Sequence, residues 1–298
     1  MRVAISFDYD SPAGYRESFS HASLHSHADL EGTEALLKVL AAHQVKTTFA
    51  IVGNAALEGA IPEHCPDQVR AIRDAGHEIA SHSMYHRYIP AMRRDELLKD
   101  LSASKQALET CAGVTVRGFV PPFNRPSHFP EKGSFSLSEL AGLHRRGRGR
   151  QSVGTLLEAL GATGFSWCRV SFQSPSQTLM RMLGSDKGSS PAQPFFFRGT
   201  LAIPLHNTGF GSGAVDLLRR YMDTDLLITL CGHPFQALDS NRVENNEHVD
   251  QLAALLEMFR KERIAGKLKF CTMAEAEMEF RASSAAALPA LVEMREGR

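Results

Sequence analysis

The sequence predicts an α/β fold with a parallel sheet or barrel. Strand-like and helix-like segments alternate along most of its 298 residues, and a repeated β-then-α order is typical of parallel sheets. The apolar fraction of 43% is enough for a large core, and α/β barrels often reach this length as one domain. No run of 18 or more apolar residues occurs, so we expect no membrane-spanning segment.

Each expected element follows from the spacing of its apolar residues. Short apolar runs predict strands at 2–7, 46–52, 78–81, 114–120, 164–170, 200–204, 225–231 and 267–271. Apolar residues three or four positions apart predict helices at 33–43, 67–75, 94–111, 214–222 and 248–263. Gly76, directly after the second of these helices, is a typical helix terminator.

The composition indicates which partners and which cellular compartment are expected. Lys and Arg together number 33, as do Asp and Glu together, so net charge gives no sign of a polyanionic partner such as nucleic acid. The five cysteines are scattered and lack a CxxC pair, which fits reduced thiols better than a disulfide framework. The start of the chain lacks the apolar region of a signal peptide. We therefore expect a cytoplasmic protein that binds no nucleic acid, and a homo-oligomer is left open.

Two motifs far apart in the chain offer the ligands of one metal site. Asp8 and Asp10 lie two residues apart at the end of the first strand, so both carboxylates leave the same side. His82 and His86 lie four residues apart, so one helical turn would put both imidazoles on one face. Two histidines and one carboxylate form a common hydrolytic zinc set with an open position for water. The other carboxylate is then free to act as a base.

The order of these motifs resembles that of the polysaccharide deacetylases, the NodB-homology fold of carbohydrate esterase family 4. The matching segments are Ser-Phe-Asp-x-Asp at 6–10, Lys-Thr-Thr-Phe at 46–49, Ala-Gly-His-Glu-Ile-Ala-Ser-His at 75–82 with His86, and Pro-Pro-Phe at 121–123. The resemblance covers residues 1–125 well and 225–275 weakly. It implies a single distorted (β/α) barrel with fewer than eight strands over 1–280, with an insertion at about 124–160. The remaining residues, 281–298, are expected to form a loosely packed tail.

The resemblance also implies a role for each site residue. Asp10, His82 and His86 would bind one divalent metal ion, with zinc preferred, and Asp8 would take the proton from the attacking water. His233, which follows a late strand, would protonate the leaving amine. The implied protein is a metal-dependent hydrolase that removes an N-acetyl or similar N-acyl group from an amino sugar.

Three positions depart from the family pattern. Val120 stands where the family usually has an arginine that orients the base, so Arg125 would replace that arginine, with Arg117 as the second choice. Trp167 is the recognisable part of the fourth motif, and it either lines the pocket or belongs to the core. Cys231 holds the place of a leucine that faces the acetyl methyl, which leaves more room beside the metal.

The expected substrate-binding residues are Pro122, Phe123, Trp167 and Cys231. Since a cytoplasmic enzyme does not meet polymeric cell-wall glycan, the favoured substrate is a small N-acylated sugar, nucleotide- or lipid-linked, from surface-glycan synthesis. Two alternatives stay open: hydrolysis of a small non-sugar amide, such as a cyclic imide or ureide, and a catalytically silent domain that binds glycan or scaffolds an assembly. The basic run 144–150 is either a solvated loop or a lid that meets an anionic substrate.

Overall fold

One curled sheet of ten strands organises the part of the chain that the structure describes. The structure is a computed structural model, and it describes residues 1–12, 14, 27–124, 152–170, 190–237 and 249–296. The strands are β1 (Arg2–Tyr9), β2 (Thr48–Ile51), β3 (Glu78–Ser81), β4 (Gly118–Phe119), β5 (Trp167–Val170), β6 (Phe195–Phe197), β7 (Thr200–Pro204), β8 (Asn207–Thr208), β9 (Leu227–Gly232) and β10 (Lys269–Cys271). The helices are α1 (Ala28–Ala42), α2 (Pro66–Asp74), α3 (Arg94–Ala112), α4 (Val153–Ala162), α5 (Ser212–Tyr221), α6 (Val249–Met258), α7 (Arg260–Ile264) and α8 (Met273–Glu296).

The strands run mostly parallel, and β1 is the third strand from the β8 end of the sheet. The strand order is β6-β7-β5-β4-β3-β2-β1-β9-β8, and β10 also pairs with β1. Strand β6 pairs antiparallel with β7. A continuous parallel path runs from β7 through β1 to β9 and contains seven of the described strands. This arrangement confirms the predicted α/β class and distorted barrel. Within the described residues the sheet has ten strands rather than the fewer than eight expected, because short strands such as β8 and β10 join it.

The sheet curls so that its two ends approach each other. The backbone amide of His206, just after β7, donates to the carbonyl of Thr229 on β9 at 3.2 Å. The Thr229 hydroxyl donates in turn to the carbonyl of Pro204 at the end of β7. Side chains on the inner face of the curl are therefore enclosed by strands from both ends of the sheet.

Side chains on β1 alternate between two buried environments. Val3, Ile5 and Phe7 pack in the large core between the sheet and the surrounding helices. Ala4 belongs instead to a second apolar cluster, which includes residues of β2, β3, β5 and β7 inside the curl. Because both faces are buried, the strand reads as an almost continuous apolar run. Asp8 lies on the inner face, where a carboxylate requires a partner.

The first turn of α8 closes the end of the curl where the strands begin. The amide of Met273 donates to Thr48 Oγ1 at 2.9 Å, and the amide of Ala274 donates to Glu78 Oε2 at 2.9 Å. Trp167 Nε1 donates to the other oxygen of Glu78 at 3.1 Å. Glu78 therefore caps the helix and ties it to the strands, and a functional site is expected at the opposite end, where the strands finish.

Differences from the predicted elements concern element ends and the later half of the chain. Strands β3 and β7 have their predicted bounds. The single helix expected at 248–263 is two helices, α6 and α7, because Phe259 between them leaves helical geometry. Helix α4 lies within the predicted insertion, and residues 125–151, with the basic run, lie outside the described residues. The tail predicted from residue 281 is helical to Glu296, since α8 continues through it.

Among the helices in the described ranges, none has both the length and the apolar character needed to cross a bilayer.

Candidate metal centre and catalytic groups

Four of the predicted site residues come together where β1 and β3 end. Asp8 is the next-to-last residue of β1, and Asp10 follows that strand directly. His82 follows β3, which is two strands from β1 in the sheet. All four side chains, those of Asp8, Asp10, His82 and His86, are at least 98% buried. The adjacent ends of parallel strands thus gather residues that are more than 70 positions apart in sequence.

Asp10, His82 and His86 have the arrangement of metal ligands. The Nε2 atoms of His82 and His86 lie 3.2 and 3.4 Å from Oδ1 of Asp10, and the three ligand atoms all lie within 4.8 Å of one another. Oδ1 of Asp10 is buried and has no hydrogen-bond partner among the described residues, although both nitrogens are near. Three lone-pair atoms that converge without hydrogen bonds between them fit a divalent cation.

The ring orientation of His82 also suits metal binding. Its Nδ1 lies 2.8 Å from the carbonyl oxygen of Val120, which can only accept a hydrogen bond. Nδ1 therefore carries the proton, and Nε2 presents its lone pair toward Asp10. A metal-bound histidine usually has its other ring nitrogen fixed in this way.

A tight turn, rather than the expected helical turn, brings the two histidines together. Residues 83–85 form a turn, and Ser83 and His86 have positive φ angles of 65° and 54°. The amide of Met84 donates to Asp100 Oδ1 at 3.0 Å, which anchors this turn to α3. The prediction of a shared helical face for His82 and His86 was therefore wrong in its geometry. Their four-residue spacing still places both rings 5.0 Å apart.

Asp8 is held by Arg169, which sequence reasoning did not single out. Arg169 Nη1 donates to Asp8 Oδ1 at 2.8 Å, and Nη2 donates to Oδ2, so the contact is bidentate. Nη1 also donates to Ser6 Oγ at 2.7 Å, and Nη2 to Asn124 Oδ1 at 2.6 Å. Burial raises the pKa of Asp8, but the charge of Arg169 and its hydrogen bonds outweigh that effect, so the pKa lies below its ordinary value. Asp8 is therefore ionised at neutral pH.

The arginines predicted for this role are placed elsewhere or not described. Arg117 is about half exposed, and its guanidinium lies 3.9 Å from Glu277 on α8. Arg125 lies outside the described residues, so its role stays a prediction. The signal for Arg169 was present in the sequence as a charged residue within the buried strand β5, where it shares the inner face with Trp167.

His233 lies beside Asp8 and is positioned by α1. Its Nε2 is 4.0 Å from Asp8 Oδ2, and 12% of its side chain is exposed. Asp29, in the first turn of α1, accepts a hydrogen bond from the amide of Phe235 at 3.2 Å. Gly32 of α1 packs so closely that a Cβ there would lie 1.8 Å from the carbonyl oxygen of Pro234. The turn that carries His233 is thus fixed against α1.

Asp29 itself is a second buried carboxyl near Asp10, and no sequence pattern indicated it. Burial and the nearby charge of Asp10 raise the pKa of Asp29 well above its ordinary value, while His233 lowers it less. The pKa of Asp10 shifts the other way: burial raises it, but His86 and His82 lower it well below its usual range. The pKa values of the two carboxyl groups are therefore shifted in opposite directions.

The predicted pocket residues fall into two groups. Phe123 packs edge-on against His86, with ring centroids 4.6 Å apart, directly after Pro122. Cys231 lies on β9 opposite Ser6 of β1, two residues before His233, and is fully buried. Trp167 is placed away from the metal ligands, at the start of β5, with its ring over Gly118 and its Nε1 on Glu78. This placement makes Trp167 a core residue at the end of the curl that α8 closes.

The comparisons with known proteins point to one family. Residues 2–128 match the family model of the polysaccharide deacetylases. The peptidoglycan-N-acetylglucosamine deacetylase of Bacillus cereus is 30% identical over 95 residues, which are 32% of this chain and 32% of that protein. The chitooligosaccharide deacetylase of Rhizobium leguminosarum bv. trifolii is 31% identical over 86 residues, which are 28% of this chain and 37% of that protein.

A solved structure extends the comparison to the whole fold. A protein of Mycobacterium smegmatis, provisionally assigned as a polysaccharide deacetylase, has 21% sequence identity and a TM-score of 0.60, with 95% of this chain and 91% of that chain covered. At this identity the likeness shows the fold alone. The chain spans about a third of the length of the curated relatives that it matches. Together these findings confirm the resemblance to the polysaccharide deacetylases, and the family match contains Asp8, Asp10, His82 and His86.

Proposed function

We propose that this protein is a metal-dependent amide hydrolase that removes an N-acetyl or similar N-acyl group from an amino sugar. The observation that carries the proposal is the arrangement of three convergent ligand atoms beside a carboxylate held by Arg169. Asp10, His82 and His86 would hold the ion. When bound, a divalent ion such as zinc would polarise the acyl oxygen and lower the pKa of a water molecule.

Asp8 serves as the general base in this proposal. It is ionised at neutral pH because Arg169 lowers its pKa, and the bidentate contact fixes the direction of its carboxylate. It accepts the proton of the attacking water. Its low pKa makes Asp8 a weak base, so the proton transfer would require a water molecule whose own pKa is lowered by the bound ion.

His233 serves as the general acid. Its Nε2 lies 4.0 Å from Asp8 Oδ2, so the two groups face the same reacting centre from β9 and β1. Its partial exposure lets it reach a substrate, whereas the metal ligands are fully buried. His233 donates a proton to the amine as the C–N bond breaks, which converts a poor leaving group into a neutral amine.

An N-acylated amino sugar is the proposed substrate class. The curated relatives act, by their names, on N-acetylglucosamine in peptidoglycan and on chitooligosaccharides. A small sugar, nucleotide- or lipid-linked, is the favoured form, and that preference rests on the cytoplasmic location expected from the sequence. A catalytically silent domain stayed possible because Val120 stands where the family has the arginine that orients the base. Arg169 forms an ion pair with Asp8 and can take the place of that arginine, which argues against this alternative.

Acetate release tests the proposal. Zinc-loaded protein is incubated with tri-N-acetylchitotriose, UDP-N-acetylglucosamine and the cyclic imide succinimide, and acetate or ring-opened product is quantified. We expect acetate from at least one sugar and a loss of about 10²–10⁴-fold in Asp8→Asn. Ring opening of succinimide with no acetate release would favour the cyclic-imide alternative, and no product from any compound would contradict the proposal.

A further inference from the structure

Asn124 lies next to the catalytic groups, and its side-chain amide has a fixed orientation. Arg169 Nη2 donates to Asn124 Oδ1 at 2.6 Å, and the same guanidinium holds Asp8. A guanidinium has donors and no acceptor, so the atom facing it must be the amide oxygen. The NH₂ group of Asn124 therefore points away from Arg169. Among the described residues this group has no hydrogen-bond partner, and the side chain is only partly buried.

The backbone around Asn124 is held in a conformation that side chains seldom adopt. Phe123 and Asn124 have φ angles of 61° and 51°, so two successive residues are left-handed. Asparagine tolerates this region better than most residues, whereas phenylalanine does so poorly. The ring of Phe123 packs against His86 and, with centroids 6.0 Å apart, against Tyr88. Such backbone persists where its surroundings determine it, and it concentrates at functional sites.

These contacts place Asn124 between the two halves of the site. The residue before it contacts a metal ligand, and its own side chain contacts the arginine that holds the base. We infer that Asn124 is a substrate-binding residue whose NH₂ group donates a hydrogen bond to an oxygen of the N-acetylated sugar beside the amide that is cleaved. The inference rests on the proposed function for its substrate class. It assigns the unused donor a partner of matching chemistry, a hydroxyl or carbonyl oxygen.

Binding of tri-N-acetylchitotriose to the metal-free protein tests this role without turnover. Isothermal titration calorimetry would compare the unsubstituted protein with two variants. Asn124→Asp keeps an acceptor for Arg169 but lacks the NH₂ group, and Asn124→Gly removes both while tolerating the left-handed backbone. Gln44→Gly is the matched control, since Gln44 has a φ of 52° but lies exposed in the turn after α1.

We expect both Asn124 variants to bind the trisaccharide about tenfold more weakly, as loss of one hydrogen bond predicts, with Gln44→Gly unchanged. With zinc bound, KM should rise by a similar factor while kcat changes less. Unchanged affinity in Asn124→Asp would overturn the inference, because it would show that Asn124 serves only to hold Arg169.

The same data separate this inference from the proposed function. If the trisaccharide binds but no acetate is released, the proposed function fails, and the comparison of variants still decides the role of Asn124. If acetate is released from the trisaccharide with the same KM in all variants, the proposed function stands and the inference fails. Absence of trisaccharide binding to the unsubstituted protein would also overturn the inference.

Discussion

The ion pair of Arg169 with Asp8 is the contact on which the proposed catalytic arrangement depends. Both side chains are at most 2% exposed, so each charge is removed from water and needs the other. The pKa of Asp8 is lowered in the folded protein. The stabilisation it provides is therefore present above the ordinary pKa of a carboxyl and is lost as the pH falls through the lower, folded value.

Loss of Arg169 should destabilise the protein as well as inactivate it. Arg169→Met leaves a buried carboxylate without its partner, which typically costs about 3–5 kcal/mol at neutral pH. Urea unfolding at pH 7 measures this free energy. Arg117→Met is the control, since Arg117 is half exposed and 3.9 Å from its partner, and we expect a loss below about 1 kcal/mol there. Equal losses in the two variants would contradict the role given to Arg169.

The predictability of individual residues depended on how local their contacts are. Asp8, Asp10, His82 and His86 could be proposed from sequence because each pair lies within one short motif. The charge of Arg169 within a strand segment was visible, but its contact with Asp8 was not, because that contact depends on how β5 curls toward β1. The turn at Ser83 was missed for a related reason: a four-residue spacing fits a helix and a tight turn equally well.

At the scale of elements, α1 is the support of the turn that carries His233. Gly32 allows the helix to touch the carbonyl of Pro234, and Asp29 binds the amide of Phe235. The chain distance between these partners is about 200 residues, so the contact itself could not be expected from sequence. The existence of α1 could be expected, because its apolar spacing is a local property.

Gly32→Ala should separate α1 from this turn. The added methyl would lie 1.8 Å from the Pro234 carbonyl, so the helix or the turn must move, at a cost of about 1–3 kcal/mol. His233 would be displaced with the turn, so acetate release should fall as well. Thermal unfolding together with the acetate assay measures both effects.

Gly213→Ala is the matched helical control for Gly32→Ala. Gly213 is exposed in α5, and its new methyl would lie 3.4 Å from Asn207 Oδ1, which is near ordinary contact. Alanine is the better helix former, so stability should be unchanged or higher by up to about 1 kcal/mol. A Gly32→Ala protein as stable and active as this control would show that the close approach of α1 is unimportant.

At the scale of the whole molecule, the titration of Glu78 at the closed end of the barrel makes the stability of the protein depend on pH. It binds Trp167 of β5, Thr48 of β2 and the first turn of α8. Burial raises the pKa of Glu78 from 4.5 to about 7, although its hydrogen bonds oppose the shift. The folded protein therefore retains a proton that the unfolded chain has lost. The stability from this group is full below pH 4.5 and falls as the pH rises to about 7.

Glu78→Gln should remove this contribution to the pH dependence. We expect the free energy of unfolding of the unsubstituted protein, minus that of the variant, to fall as the pH rises from 4.5 to about 7. Urea unfolding at several pH values gives that difference directly. A difference that stays constant over this range would mean that Glu78 does not titrate there.

The α/β fold class could be predicted from the sequence, but the closing of one end of the curled sheet by α8 could not. Alternating β and α segments indicated the parallel sheet, since their order can be recognised directly from the sequence. The role of α8 at the closed end was missed because its first turn contacts Thr48 and Glu78, which lie about 200 residues earlier in the chain. The placement of Trp167 follows from the same closure, because it bonds to Glu78 there.

Metal content is the most direct test of the central claim that Asp10, His82 and His86 form a metal site. The protein is incubated with zinc and desalted, and the zinc that remains bound per chain is measured by inductively coupled plasma mass spectrometry. The site predicts about one ion per chain, since three protein ligands leave one open position. That ion should be lost in Asp10→Ala and His86→Ala and retained in Asp8→Asn, because Arg169 rather than the metal holds Asp8. Full zinc occupancy in Asp10→Ala and His86→Ala would contradict the account.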